Sequence, residues 1–192
     1  MIQGPHGRIL TFEELATKSS TFNETEHRFY GTVKDLSMFR IFPKEDIEQW
    51  TIRLTDPEQV STKLTERVRK SVKDNKATYS SCKKVGVFSN ERLTDKDDFE
   101  FFKAICKTGQ VKTRISIPIQ GRGACWELDL YRTPDLKSYY SWVTVELEVD
   151  DLSAPLPKLP DGFKMVYDER DKSKPTRDAV WQLYEKYFIF RK

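Results

Sequence analysis

Cysteine and histidine are scarce in this chain of 192 residues, with three of the first and two of the second. Cys82, Cys106 and Cys125 are an odd number at wide spacing. They offer neither a disulfide framework nor a readable zinc site, and a reduced compartment is their natural setting. No apolar run approaches the roughly 18 residues that a membrane-spanning helix needs. Residues 1–7 lack the basic-then-apolar pattern of a secretory leader. A cytoplasmic location is therefore expected (the host cytoplasm for a viral chain), with no membrane partner. Internal repeats and low-complexity tracts are absent. The net charge of +3 is too small to mark a general nucleic-acid binder.

Charge itself is plentiful: 33 basic and 30 acidic residues, with charged residues at 33% and hydrophobic residues at 38%. The length suits about one domain with a core of its own. Residues 1–22 read as an N-terminal lead-in, in which Thr11 and Glu14 have the spacing of a capping box. Residues 23–192 read as a single domain that includes a C-terminal helix. Short alternating segments rich in β-branched and aromatic residues predict strands over 24–30, 49–55, 66–72, 78–87, 110–119, 124–132 and 141–149. A helix is predicted over 94–106, with acids in its first turn and Gly109 as its stop. A second opens at Lys174-Pro175-Thr176, with Val180, Trp181, Leu183, Tyr184 and Tyr187 at its apolar positions. Between them, residues 153–160 hold three of the nine prolines and read as a linker. Short turn-like connections favour an antiparallel meander, either a sandwich or a closed barrel.

In a strand, residues i, i+2 and i+4 share a face. That parity groups Glu24, Glu26 and Arg28; Arg67 and Arg69; Lys112 and Arg114; Glu127 and Asp129; and Glu146 and Glu148. Tyr79, Ser81 and Lys83 are expected to continue the set. Six acids and six bases then lie on one face, opposite apolar positions such as Val68, Ile115, Trp126, Leu128 and Leu147. A solvated face mixes its polar residues, whereas here whole strands are acidic or basic. Like charges side by side repel unless opposite charge lies between them. A barrel with a charged interior and an apolar exterior under helices and loops accommodates both faces. Paired carboxylates are hard oxygen ligands for Mg²⁺ or Mn²⁺, and Arg and Lys rows neutralise phosphate oxygens. His27 falls on the outward face and His6 in the lead-in, so neither is a candidate.

Six of these segments, in order, resemble the motifs of the CYTH, or triphosphate tunnel metalloenzyme, superfamily. Glu24-Thr25-Glu26-His27-Arg28 is similar to its E-x-E-x-K signature, with Arg28 where Lys is usual. Arg67-Val68-Arg69 resembles its R-x-R strand, and residues 79–83 its strand ending in Lys. Lys112-Thr113-Arg114 resembles K-x-R, residues 126–129 resemble W-x-x-D, and Glu146-Leu147-Glu148 the closing E-x-E. The acidic strand expected after Lys83 is thin, with Glu91 its one candidate.

The resemblance implies a β-rich α+β fold, an eight-stranded antiparallel β-barrel (tunnel) with helices packed on the outside. It implies a divalent-metal-dependent triphosphatase acting on inorganic triphosphate or a nucleoside triphosphate. Metal would be held by Glu24, Glu26 and Glu148. Glu24, Glu26, Asp129, Glu146 and Glu148 would form the catalytic carboxylate set, and Arg28, Arg67, Arg69, Lys83, Lys112 and Arg114 would bind phosphate. An RNA 5′-triphosphatase of the same superfamily is one alternative, with Lys70, Lys73, Lys76 and Arg122 as a basic rim. A non-catalytic protein that sequesters nucleotide or polyphosphate is another. Oligomeric state is open.

Overall fold

A computed structural model of the protein describes residues 25–54, 64–85, 88–106, 108–133, 135–149, 153, 155–171, 173–187 and 189–190. Glu24, His6 and the Thr11/Glu14 capping box lie outside them. Among the described residues there are ten strands: β1 (Thr25–Val33), β2 (Lys44–Leu54), β3 (Leu64–Lys73), β4 (Lys76–Val85), β5 (Phe88–Leu93), β6 (Thr108–Pro118), β7 (Cys125–Arg132), β8 (Tyr139–Val149), β9 (Phe163–Asp168) and β10 (Ile189–Phe190). A short 3₁₀ helix spans Leu36–Phe39. Helix α1 spans Lys96–Ile105 and α2 spans Lys174–Tyr187.

All pairings are antiparallel, in the order β5-β4-β3-β2-β6-β7-β8-β1-β9, with β10 beside β6. The expected β-rich antiparallel sheet with helices is present, and a tunnel-like arrangement is consistent with it. Among the described residues no ladder joins the two edge strands, β5 and β9. A strand has two edges, and β1 uses one for β8 and the other, over residues 29–33, for β9. Gly31 permits that second pairing: a Cβ there would fall 2.2 Å from the Lys164 carbonyl oxygen.

One face of the β1, β6, β7 and β8 region is apolar. Phe29, Ile115, Ile117, Trp126, Leu128, Leu130, Val143, Val145 and Leu147 are buried together there with Phe39 of the 3₁₀ helix. Phe29 and Trp126 meet edge to face, with ring centroids 5.9 Å apart. Burying a side chain of this size contributes about 1.5–3 kcal/mol. Leu156 and Leu159 of the proline-rich stretch pack on the same cluster. The Trp126 indole N–H donates to the Lys158 carbonyl at 3.0 Å, so the predicted linker is a strap lying against the sheet.

Helix α1 covers the same side of β2 and β3, where Phe99 and Cys106 join Trp50 and Val68. Its N-cap is Asp95, which accepts from the Asp98 amide at 2.8 Å, with Asp97 and Asp98 favourably placed in the first turn. The helix ends at Cys106, whose backbone is extended. Gly109 is not its stop. It lies in β6 beneath Trp50, where a Cβ would stand 2.5 Å from the indole ring. No helix among the described residues is long and apolar enough to cross a membrane.

Candidate functional site

Direct cross-strand partners share a face, so the register lays out the charged side of the sheet. On β1 and β8, Glu26 faces Glu148 and Arg28 faces Glu146. Glu146 faces Glu127 on β7, and Asp129 faces Arg114 on β6. Gln110 faces Gln49 on β2, which faces Arg69 on β3, and the next row is Thr108, Thr51 and Arg67. The parity of β1, β3, β6, β7 and β8 is thus as expected from sequence.

That of β4 is not. Arg69 faces Ser80, Arg67 faces Cys82 and Thr65 faces Lys84. Tyr79, Ser81 and Lys83 therefore belong to the opposite face, where Tyr79 packs on Phe99 at 5.5 Å. Lys83 pairs with Glu66 there at 3.3 Å. The expected Lys83 contact with the site is corrected, and by register it is position 84, opposite Thr65, that shares the Arg67 face. The thin acidic strand is real: β5 brings Glu91 opposite Cys82, 3.6 Å from the Arg67 guanidinium.

The carboxylate-rich half spans β1, β6, β7 and β8. Arg114 is its hub. Its Nε and Nη2 donate to the two Asp129 oxygens at 2.7 and 2.8 Å, and Nη2 donates to Glu146 Oε2 at 2.9 Å. Nη1 pairs with Glu127. Arg28 donates to Glu146 Oε1 at 2.7 Å and to Glu26 Oε1 at 2.5 Å, and stands 3.7 Å from Glu169. The Lys112 ammonium donates to Asp129 Oδ2. Three of these groups are deeply buried: Asp129 is 0% exposed, and Lys112 and Glu146 are each 6% exposed.

Burial disfavours a charge, and its pairing decides the outcome. Burial works against the Asp129 carboxylate, but Lys112 and Arg114 prevail and hold its pKa down to about 2. Burial likewise opposes the Arg28 charge, and Glu146 and then Glu26 carry its pKa well above the usual arginine value. Glu127 goes the other way. Burial raises it, with help from the Asp129, Glu146 and Glu148 carboxylates, against the pull of Arg114.

The basic half, on β3 with β2 and β6, is differently satisfied. Arg69 Nη2 reaches Gln49 Oε1 at 3.4 Å. Burial and the neighbouring Arg67 lower the Arg69 pKa from its ordinary value. Among the described residues, the buried side-chain atoms left without a hydrogen-bond partner on this face are Arg67 Nε, Arg69 Nε and Gln110 Nε2. All three are donors. A buried polar group without a partner is costly, and three such donors call for an acceptor-rich ligand. Gln110 carries no charge to mark it in the sequence, although it is two residues before Lys112.

Helix α2, expected outside, is also corrected. Leu183 packs with Tyr30 and Tyr131, flanked by Val180, Tyr140, Trp142 and Tyr167. Tyr131 faces Lys112 and Tyr30 faces Thr144, so the helix stands on the charged side, at the aromatic end of the carboxylate cluster.

For a cation, Glu26 and Glu148 offer hard oxygen donors side by side, both near solvent. That donor type fits Mg²⁺ or Mn²⁺. Among the described residues no group of three or more His, Cys, Asp or Glu is gathered closely enough to hold a metal. The two carboxylates would need further oxygen donors, such as phosphate oxygens or water, to complete the shell.

A scan against protein-family models finds no match, and a search of curated proteins finds none. Similar solved structures include the inorganic triphosphatase NE1496, 21% identical, with 82% of this chain and 96% of that chain covered and a TM-score of 0.47. Another is the PH1819 protein from Pyrococcus horikoshii OT3, at 15% identity, 88% and 95% coverage and a TM-score of 0.45. A third is HpAC1 from Hippeastrum, a putative adenylyl cyclase with a dominant triphosphatase activity. It is 11% identical, with 87% and 91% covered and a TM-score of 0.42.

Proposed function

We propose that the protein hydrolyses a triphosphate group bound on the charged face, as a CYTH-type triphosphatase dependent on Mg²⁺ or Mn²⁺. The observation that carries this reading is the set of buried, unpartnered donors Arg67 Nε, Arg69 Nε and Gln110 Nε2, beside a cluster of carboxylates and bases. A phosphate chain presents acceptor oxygens along its length and satisfies such donors. An apolar ligand or a bare cation does not. The ordered motifs other than the one ending in Lys83 support the same reading.

Arg67 and Arg69 grip one part of the chain. Lys112, Arg114 and Arg28, already oriented by Asp129, Glu146 and Glu26, present their remaining N–H groups to another. Because these bases are fixed before substrate arrives, little reorganisation opposes the developing charge. Glu26 and Glu148, with Glu24, would hold the divalent cation, which when bound neutralises charge on the phosphate oxygens.

Phosphate release from tripolyphosphate, ATP and 5′-triphosphorylated RNA, each with Mg²⁺, with Mn²⁺ and with chelator, tests the reading. Release that needs metal is expected from tripolyphosphate or ATP. Preference for the RNA end would move the substrate to the superfamily's RNA branch. No release from any of the three, with tight metal-independent nucleotide binding, would replace the enzyme by a sequestering protein.

A further inference from the structure

On β6, Gln110, Lys112 and Arg114 alternate along one face, and their Cα atoms span about 13 Å at the usual strand rise. The three residues are not equivalent. Arg114 is occupied by Glu127, Asp129 and Glu146, and Lys112 by Asp129. Gln110 is 5% exposed, and its amide nitrogen has no partner. Across β2, Gln49 takes a hydrogen bond from Arg69 on the same row. A neutral amide is an unusual choice in a row of cations. It adds donors without adding repulsion to Arg67 and Arg69, whose mutual repulsion already helps lower the Arg69 pKa.

We infer that Gln110 is a substrate-binding residue: its amide N–H donates to an oxygen of the phosphate held by Arg67 and Arg69, at the end of the chain away from Glu26 and Glu148. This rests on the triphosphatase reading and extends it to specificity. A substrate must be long enough to occupy both the carboxylate half and this basic end. Gln110 therefore favours three phosphates over two.

The test is binding and turnover of tripolyphosphate and pyrophosphate by the full chain and by Gln110→Leu and Gln110→Glu, with the melting temperature of each unliganded protein as the control for folding. A hydrogen bond to a charged group is worth about tenfold or more in affinity. Gln110→Leu should weaken tripolyphosphate about tenfold in Kd and KM, with kcat within about twofold and pyrophosphate nearly unaffected. Its unliganded melting temperature should hold or rise, because a buried unpartnered amide is removed. Gln110→Glu keeps the shape but sets a carboxylate beside the arginines, so it should weaken tripolyphosphate further. Wild-type affinity in a folded Gln110→Leu variant, or equal losses for tripolyphosphate and pyrophosphate, would overturn the inference alone. No binding or hydrolysis of tripolyphosphate by the unaltered chain would overturn the triphosphatase reading beneath it. If Gln110→Leu melts early, Gln110→Glu decides: intact tripolyphosphate affinity in that variant overturns the assignment.

Discussion

Arg114 and Asp129 face each other across β6 and β7, joined by two parallel hydrogen bonds of 2.7 and 2.8 Å. Lys112 donates to the same carboxylate. One fully buried acid therefore pairs with two bases, and it also fixes the direction in which both present their remaining N–H groups. Removing one partner of such a set leaves charge uncompensated in the interior, at about 3–5 kcal/mol. Asp129→Ala should lower stability by about that amount in urea unfolding and abolish phosphate release. Loss under about 1 kcal/mol would mean that water reaches Lys112 and Arg114 when the acid is gone.

The same carboxylate sets an acid-side limit. Its pKa is held down to about 2, against an ordinary 3.8. A depressed carboxylate contributes stability that is present above its unfolded value and lost as pH falls through the folded one. Asp129 should thus contribute on the order of 2 kcal/mol above pH 4, declining between about pH 4 and pH 2. Unfolding free energies measured over that window should fall more steeply for the wild-type chain than for Asp129→Asn. Parallel curves would remove Asp129 from the acid transition.

Lys83 lies on the face away from the site, 3.3 Å from Glu66 and partly exposed. Exposed pairs of this kind contribute about 0–1 kcal/mol. Lys83→Ala should leave tripolyphosphate turnover within about twofold and stability within about 1 kcal/mol. A tenfold loss of kcat/KM would show that the β3–β4 register differs from the one described.

That register was recoverable from the sequence. Asp74 and Asn75 take positive φ values of 49° and 62°, the signature of a two-residue hairpin turn favoured by Asp and Asn. Such a turn pairs Lys73 with Lys76 and so Arg69 with Ser80, which puts position 84 rather than 83 on the Arg67 face. Starting parity from Tyr79 missed this. The strands of the carboxylate half were legible because acids and bases alternate cleanly with Trp126, Leu128, Val145 and Leu147. Strand β9 was not, since residues 164–166 are exposed on both sides of the strand and carry no period-2 burial signal. The position of α2 was hidden for another reason. An apolar stripe holding Val180 and Leu183 says that a helix packs, and not which face of a sheet receives it.

Glu26 and Glu148 carry the cation part of the proposal. They are cross-strand partners on β1 and β8, both exposed enough for solvent to reach. Two carboxylates so placed repel in the absence of a cation, and only Glu26 has the Arg28 guanidinium to offset this, at 2.5 Å. Replacing both by Gln removes the repulsion and keeps the shape. The Glu26→Gln, Glu148→Gln double variant should therefore fold with a melting temperature equal to or above that of the wild type without metal. It should lose the rise in melting temperature that Mn²⁺ gives the unaltered chain, and its metal-dependent phosphate release should fall at least tenfold, the loss that even indirect supports of a metal site incur. An unchanged Mn²⁺ response would put the cation elsewhere on the charged face. An unchanged response together with unchanged release would exclude both residues from the reaction.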